Sequence, residues 1–195
     1  MRLKLTLLTL LWFGICQAQT EDELNQISAH LSQATITQGA FQQQKQLKFL
    51  RNPLNSNGTF VYHQSKGVIW KTLSPVPSTV IINDNRLLTD QGEQAVPAAF
   101  GKVFQALLGN NLNFLTEGFT IAVSHHDAVW QLQLEPKEPL LKKLFLHIKL
   151  SGDQELRQME LEEFNGNQTQ IHFEHITHPS ELASEQEVDF ARLSP

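Results

Sequence analysis

The sequence predicts an α+β fold in which a curved antiparallel sheet carries two helices. Runs of alternating polar and apolar residues recur along most of the chain, and short turns rich in Gly, Asn and Asp separate them, which is typical of up-and-down strands. Two segments instead repeat apolar residues at helical spacing, one near the start and one in the middle. No internal repeat or low-complexity linker divides the chain, so we expect one domain.

The first residues predict an export signal. Arg2 and Lys4 precede a continuous apolar run from Leu5 to Ile15, which is too short to cross a bilayer as a helix. Cys16 and Ala18 then place small residues at the −3 and −1 positions, so we expect cleavage after Ala18. A lipoprotein signal that is acylated on Cys16 is the alternative, although the residue before Cys16 is large where a small one is expected.

Composition excludes several classes of function. We predict a signal peptide over residues 1–18 and a single domain over residues 19–195, which would contain no cysteine and therefore no disulfide. The formal net charge is −5 and would become about −7 after cleavage, which argues against a nucleic-acid partner. No later apolar run is long enough for stable membrane insertion.

The first predicted helix covers residues 21–32. Thr20 and Glu23 form a capping box at its start. Apolar side chains follow at helical spacing, at Leu24, Ile27 and Leu31.

A long, Gln-rich strand is predicted over residues 35–50. Alternation places Phe41, Leu47 and Phe49 on one face of it. Residues 51–57 are predicted to form a turn. The next predicted strands cover residues 58–63, 68–73, 79–82 and 86–89.

The two strands within Gly58–Pro75 carry large rings but no catalytic group. Phe60, Tyr62 and Trp70 lie on a small sheet that has no nucleophile, metal cage or phosphate cradle in its sequence. This pattern favours a surface that holds an apolar ligand.

A short apolar helix is predicted after Pro97, which suits a first helical turn, and before Gly109, which supplies a stop. Its apolar residues recur at i, i+3, i+4 and i+7, at Phe100, Val103, Phe104 and Leu107. The helix either simply packs on the sheet or forms a lid across a cavity.

Strands recur in the second half of the chain. They are predicted over residues 119–124, 129–134, 144–150, 155–164 and 168–176. The acidic residues between 155 and 163 alternate with apolar ones, which indicates a solvated strand face or a surface that orients a partner.

Neither metal binding nor hydrolysis has a strong signature. His172 and His175 lie on a predicted strand, where a spacing of three sends them to opposite faces, and no zincin motif is present. The segment Ser124–Asp127 contains the residue types of a catalytic triad, but no Gly-x-Ser-x-Gly motif surrounds any serine. We therefore interpret this segment as a polar turn.

The order of these features resembles the LolA family of periplasmic lipoprotein carriers. An export signal and a first helix precede Phe41-Gln42-Gln43, and Gly58-Thr59-Phe60 is followed by Trp70 twelve residues after the glycine. Pro75, the mid-chain helix and a Gly-Asp turn follow in the same order, and Val188–Phe190 resembles the family's terminal strand. The resemblance covers essentially the whole chain after the export signal.

The resemblance implies a fold, a task and a set of partners. The fold would be an incomplete, open antiparallel β-barrel with helices covering an apolar cavity. The protein would accept acyl chains of a lipoprotein or lipid from an inner-membrane transporter and pass them to an outer-membrane acceptor. It would work in the periplasm as a monomer, with neither enzymatic activity nor a cofactor.

One departure concerns the family's lid latch. The family has an Arg-Pro pair between the Gly and the Trp, and its Arg hydrogen-bonds to the helical lid. Those positions hold Gln64 and Ser65 in this chain. A neutral hydrogen bond is about half as strong as a charge-assisted one, so a latch built on Gln64 would be weaker and the cargo could differ.

We predict that apolar residues of the sheet and the mid-chain helix line the cavity. The sheet candidates are Phe41, Leu47, Phe49, Phe60, Tyr62, Trp70, Trp130, Leu132 and Phe145, and the lid candidates are Phe100, Phe104 and Leu107. The alternatives are a non-catalytic structural protein of the same fold with a filled core, and a small exported hydrolase.

Overall fold

The structure, a computed structural model, describes residues 22–31, 34–83, 86–95, 103, 105–109 and 111–192. The predicted signal peptide, the capping residue Thr20, and Pro97, Phe100 and Phe104 of the mid-chain helix lie outside these ranges.

The described residues form one open sheet of 11 antiparallel strands. Its strands are β1 (Ile36–Gln46), β2 (Leu54–His63), β3 (Gly67–Ser74), β4 (Ser78–Ile82), β5 (Arg86–Thr89), β6 (Gly92–Ala95), β7 (Phe119–His126), β8 (Val129–Pro136), β9 (Phe145–Gly152), β10 (Leu156–Glu163) and β11 (Gln168–Thr177). Their order across the sheet is β6-β5-β4-β3-β2-β1-β11-β10-β9-β8-β7, so β6 and β7 form the two edges. The predicted α+β class with an incomplete antiparallel sheet is confirmed.

Five helical segments accompany the sheet within the described residues. They are α1 (residues 22–30), α2 (residues 103 and 105–108), α3 (Leu112–Gly118), α4 (Pro139–Lys142) and α5 (Ser184–Ala191). The predicted first helix is confirmed within the described residues, and Gly109 follows α2 as a turn, as expected. Within the described part of the chain, no helix combines the length and the apolar character that a membrane span requires.

The two faces of the sheet carry separate apolar clusters. We define the inner face as the one that carries the larger cluster, to which α1, α2, α3 and α4 contribute Leu24, Leu107, Leu115 and Leu141 among others. The outer face carries a smaller cluster in which α5 buries Phe190 against strand residues. The strand residues of this smaller cluster are Ile36, Val61, Ile69 and Ile81.

The predicted turn at residues 51–57 is wrong in its second half, because β2 begins at Leu54. The polar start of β2 is stabilised by its partner strand. Gln44 donates to the Asn55 side chain at 3.3 Å, and Gln43 donates to the Ser56 hydroxyl at 3.3 Å. Asn and Ser signal a turn in isolation, but across from a Gln-rich strand they add side-chain hydrogen bonds to the ladder.

The predicted terminal strand at Val188–Phe190 is also wrong, because these residues belong to α5. Strand geometry would place Val188 and Phe190 on one face. Helical geometry instead buries Phe190 and leaves Val188 66% exposed. The side chain of Gln186 accepts from the Ala183 backbone N–H at 2.9 Å, which satisfies one free donor at the start of the helix.

Candidate functional site

A cavity of about 330 Å³ lies between the inner face of the sheet and α2. Most of its lining is apolar, and the apolar residues are Trp70, Val80, Ile82, Leu87, Val103, Leu107, Phe145, Ile148, Met159, Leu161 and Ile171. The polar lining residues are Gln43, Lys45, Glu163 and Thr169. The volume falls at the lower end of the roughly 300–1,000 Å³ typical of small-molecule pockets.

Trp70 on β3 lines the cavity and packs against a group of aromatic rings behind it. The rings of Phe41 and Trp70 stack with centroids 3.9 Å apart, and Phe60 and Phe173 pack edge to face at 5.3 Å. The Phe41 ring lies on Gly58, where a Cβ would come within 2.8 Å of the ring and 1.9 Å of the Lys71 carbonyl oxygen. Gly58 therefore lets Phe41 lie flat on β2 and support Trp70 from behind.

The helix α2 closes the cavity opposite the sheet. Val103 and Leu107 point into the cavity, and both are buried. The end of the helix lies against Tyr62, since a Cβ on Gly109 would come within 2.4 Å of the Tyr62 ring. Burial under this helix raises the pKa of the Tyr62 hydroxyl. Glycine at position 109 thus permits the close approach that places Leu107 over the cavity.

The polar lining residues gather at one end of the cavity. Lys45 on β1 pairs with Glu163 on β10 at 2.8 Å, and Thr169 lies opposite Lys45 in the strand register. Burial raises the pKa of Glu163, but hydrogen bonds from Lys45, Asn167 and Asn165 outweigh it, and the pKa lies below its ordinary value. The cavity therefore has an apolar interior and a charged end.

The structure brings some of the predicted site residues to the cavity and places others elsewhere. Trp70, Leu107 and Phe145 line it. Predicted residues that are buried in the inner cluster without lining the cavity are Phe41, Phe60, Tyr62, Trp130 and Leu132. Trp130 is fixed there by a hydrogen bond from Nε1 to the Asp153 carbonyl oxygen at 2.7 Å.

The prediction that Leu47 and Phe49 face the cavity is wrong. β1 ends at Gln46, so both residues belong to the connection to β2 and the strand alternation no longer applies to them. Leu47 is half-buried outside the cavity lining, and Phe49 is 81% exposed.

Gln64, at the family's latch position, lies in the exposed turn between β2 and β3. Its backbone N–H donates to the Thr35 carbonyl oxygen at 2.9 Å. Its side chain makes no hydrogen bond to the described part of the chain. No latch is formed by Gln64 among the described residues.

Sequence reasoning missed the lining residues of β4, β5, β10 and β11. Trp70 pairs directly with Val80 across β3 and β4, so Val80 had to share its face once the hairpin register was known. Lys45 lies four residues after Phe41 on the same strand, so alternation places both side chains on the inner face. The missing information was the strand order, which places β10 and β11 beside β1.

The histidine and serine candidates form no catalytic or metal site in the described residues. His172 and His175 both border one groove on the outer face, contrary to prediction, because a bulge at His175, with φ 53°, breaks the alternation. No group of three or more His, Cys, Asp or Glu could hold a metal within the described ranges. Ser124, His125 and His126 are all exposed near a hairpin turn, and no hydrogen bond joins the serine to either ring.

The fold is similar to that of a solved protein of very different sequence. A DUF1329 family protein from Desulfovibrio piger superposes with a TM-score of 0.51 at 8% identity, covering 85% of this chain and 94% of that one. A LolA superfamily protein from Nitrosomonas europaea gives 0.49 at 8% identity, covering 85% and 96%. The Pseudomonas aeruginosa MucA/MucB complex gives 0.44 at 13% identity, covering 86% of this chain and 60% of the matched one.

No curated protein matches the chain significantly. The sequence model of the family described as outer membrane lipoprotein carrier protein LolA does match, over residues 32–186. This range includes all eleven strands and the cavity. The chain therefore belongs to the LolA family.

Proposed function

We propose that this protein is a periplasmic carrier that holds an acyl chain of a lipoprotein or lipid in the cavity and shuttles it from the inner to the outer membrane. The observation that carries the proposal is the cavity of about 330 Å³ between the inner face and α2, with an apolar interior. Burial of apolar surface contributes roughly 0.8 kcal/mol per CH₂ group. A single chain in this space would therefore bind tightly without any catalytic group.

The charged end of the cavity supports an amphiphilic cargo. Lys45 and Glu163 form their ion pair where the cavity reaches the ends of β1 and β10. An acyl chain in the apolar interior would leave its polar portion beside these two groups. The cavity is thus suited to one chain with a polar head.

Release requires a better acceptor. Transfer to an acceptor of higher affinity, or distortion of the cavity by a partner, would supply the driving force, because burial alone favours retention. The family's task supports such a hand-over between membranes.

The proposal is tested by uptake of a fluorescent fatty acid by the purified protein. Val80→Glu places a carboxylate inside the cavity and should reduce uptake by at least about ten-fold, because an unpaired charge is costly to bury. Thr79→Glu is the matched control, since this neighbour faces the opposite side of β4, across from Lys71. It should keep wild-type uptake.

A second variant separates loss of the cavity from loss of the fold. Val80→Trp fills the cavity without adding charge, and it should lower uptake while the protein retains its circular dichroism spectrum. Uptake that survives both Val80 variants would show that the cavity does not hold the chain. A wild-type protein that takes up no fatty acid and carries no acylated species in native mass spectrometry would instead be the structural protein of the alternative hypothesis.

A further inference from the structure

Exposed apolar side chains gather at one end of the sheet. Eleven large hydrophobic side chains are exposed among the described residues. Nine of them belong to one end of the sheet, the end at which β1 stops and β2 starts, where they lie in connections or near the ends of strands. These nine are Phe49, Leu50, Leu54, Leu73, Val76, Leu140, Leu144, Leu146 and Phe164. Single exposed hydrophobic residues are common, but a group at one end of a protein marks an interaction surface.

Three connections of this end are joined by hydrogen bonds. The Phe164 backbone N–H donates to the Leu144 carbonyl oxygen at 3.0 Å, and the Lys48 N–H donates to the Asn167 side chain at 3.2 Å. The Gln46 side chain donates to the Leu50 carbonyl oxygen at 2.6 Å. We call this assembly, formed by residues 48–51, 142–144 and 164, the tip.

The apolar residues of the tip project far into solvent. Phe49 is 81% exposed and Phe164 is 65% exposed, although both lie in connections that are fixed by these hydrogen bonds. Exposed apolar side chains that form a group, unlike single ones, mark a surface that contacts a partner or a membrane.

The tip is also basic, in a protein whose formal net charge is −5. Lys48 and Arg51 flank Phe49 and Leu50, and Lys142 and Lys143 precede Leu144. All four cations are exposed, and none forms an ion pair with a described residue.

The acidic groups near the tip are few. Glu163 is already paired with Lys45 and accepts from Asn165 and Asn167, Glu162 lies 3.2 Å from His147, and Glu138 precedes α4. Lys48, Arg51, Lys142 and Lys143 therefore lie beside the apolar residues of the tip without an ion-pair partner among the described residues.

We propose that the tip docks on the surface of an anionic lipid bilayer. Phe49, Leu50 and Phe164 would enter the interfacial region, while Lys48 and Arg51 would contact lipid phosphates. Apolar side chains flanked by Lys and Arg are the combination that binds peripheral proteins to anionic membranes. The charge of these unpaired cations beside exposed apolar side chains is complementary to that of such a surface, which is why we assign the bilayer as the occupant.

The cavity reaches toward the same end of the sheet. Lys45 and Glu163 lie next to the residues of the tip, and Phe145 follows Leu144 directly. Docking at the tip would bring the charged end of the cavity to the bilayer surface, so an acyl chain could pass between them with little exposure to water. That use of the tip depends on the proposed carrier function, whereas the docking itself does not.

Docking is tested by sedimentation of the full chain with vesicles. The probes are vesicles of phosphatidylcholine alone and of phosphatidylcholine with about a third phosphatidylglycerol. We expect partitioning onto the mixed vesicles that is weakened by salt, because exposed charges are screened. The double variant Phe49→Ser with Phe164→Ser should partition at least about ten-fold less.

The control for the apolar residues is Val129→Ser with Val188→Ser, which removes the two exposed hydrophobic residues of the described chain that lie away from this end of the sheet. It should partition as the wild type does. Fatty-acid uptake from solution should be unchanged in both double variants, which separates failure of docking from failure of the carrier function.

A second pair of variants tests the charge. Each basic residue near an anionic surface contributes about five-fold to binding, so Lys48→Gln with Arg51→Gln should lower partitioning about 25-fold. Lys149→Gln with Arg157→Gln removes the same charge away from the tip and should have little effect, since the Arg157–Asp153 pair is exposed.

Partitioning that is equal on both kinds of vesicle, or that survives both tip variants, would overturn the proposal. Binding that occurs only when vesicles carry an integral membrane protein would assign the tip to a protein partner and would also overturn it. Circular dichroism of each variant confirms that loss of binding does not reflect unfolding.

Discussion

The inner and outer faces of one sheet bury apolar residues in two different ways. The inner face supports the larger cluster, contacts four helical segments and still leaves a cavity of about 330 Å³. The outer face buries only a small patch under α5, and much of it is polar, with Gln42, Gln170 and His172 exposed or half-buried around an open groove. The mostly apolar cavity therefore lies on the inner face, whereas the groove of the outer face is lined largely by polar residues.

The covers of the two faces are also held differently. α2 meets the inner face through apolar contacts such as Leu107 and the close approach of Gly109 to Tyr62. α5 adds ion pairs, in which Lys71 meets Asp189 at 2.8 Å and Glu185 at 2.5 Å. Apolar contacts allow a cover to shift and re-pack over a ligand, whereas a hydrogen-bonded pair fixes one position. The described contacts of the two helices with the sheet thus differ in kind.

The largest effect that would test this comparison is expected on the inner face. Phe41→Ala should lower the free energy of unfolding by about 3–5 kcal/mol, because it removes a buried ring that stacks on Trp70 and leaves a cavity. Urea denaturation measures the change. A loss below about 1 kcal/mol would mean that the inner cluster tolerates an unfilled space behind Trp70 and that the Phe41 ring does not support Trp70.

Truncation of the buried side chain of α5, which covers the outer face, should lower the free energy of unfolding by less. Phe190→Ala should lower the free energy of unfolding by about 2–3 kcal/mol, since α5 lies at the end of the described chain and can open locally. Hydrogen exchange should accelerate in residues 184–191 and stay unchanged in β8 and β9. Equal acceleration in those strands would show that the two faces unfold as one unit.

The ion pairs between Lys71 and α5 should contribute still less to the free energy of unfolding. Lys71→Gln should lower the free energy of unfolding by about 1 kcal/mol or less, because the pairs are partly exposed, and the loss should shrink at high salt. Arg157→Gln breaks an exposed pair away from α5 and is the control. A loss of stability that does not depend on salt concentration would indicate that Lys71 acts through packing of its aliphatic chain.

The smallest expected effect concerns the Lys45–Glu163 pair at the charged end of the cavity, and it appears only when stability is measured as a function of pH. The folded pKa of Glu163 is lowered, so its stabilising contribution is present above the ordinary value of 4.5 and is lost as the pH falls through the folded pKa. Glu163→Gln should therefore flatten the loss of stability on acidification, as measured by urea midpoints between pH 6 and about pH 3. Lys45→Gln should weaken the same transition. An unchanged pH profile in Glu163→Gln would contradict the role of this pair.

Much of the fold could be predicted because local patterns and tertiary packing agree. The strands around Trp70 and Trp130 and the hairpins of the second half follow from alternation and turn residues. The structure departed from prediction where a residue pattern fits two environments. Val188 and Phe190 alternate as in a strand, yet burial of Phe190 under the ion pairs of α5 favours the helix.

The candidate site was less predictable than the fold. Trp70, Leu107 and Phe145 were predicted and do line the cavity, whereas Phe49 projects into solvent at the tip. Alternation tells which residues share a face only within a strand, and it does not tell where the strand ends. Nor does it tell which buried residues border an empty space, since a filled core and a cavity wall require the same apolar side chains.

The sequence by itself determined the α+β class, most of the strands and the family, because hydrophobic periodicity and turn chemistry are local properties of the chain. Only the tertiary structure decided the cavity, since it depends on β4, β5, β10 and β11 meeting around Trp70 under α2. The tip was decided in the same way. Its apolar and basic residues are distant in sequence, and they form one surface because antiparallel pairing returns their connections to the same end of the sheet.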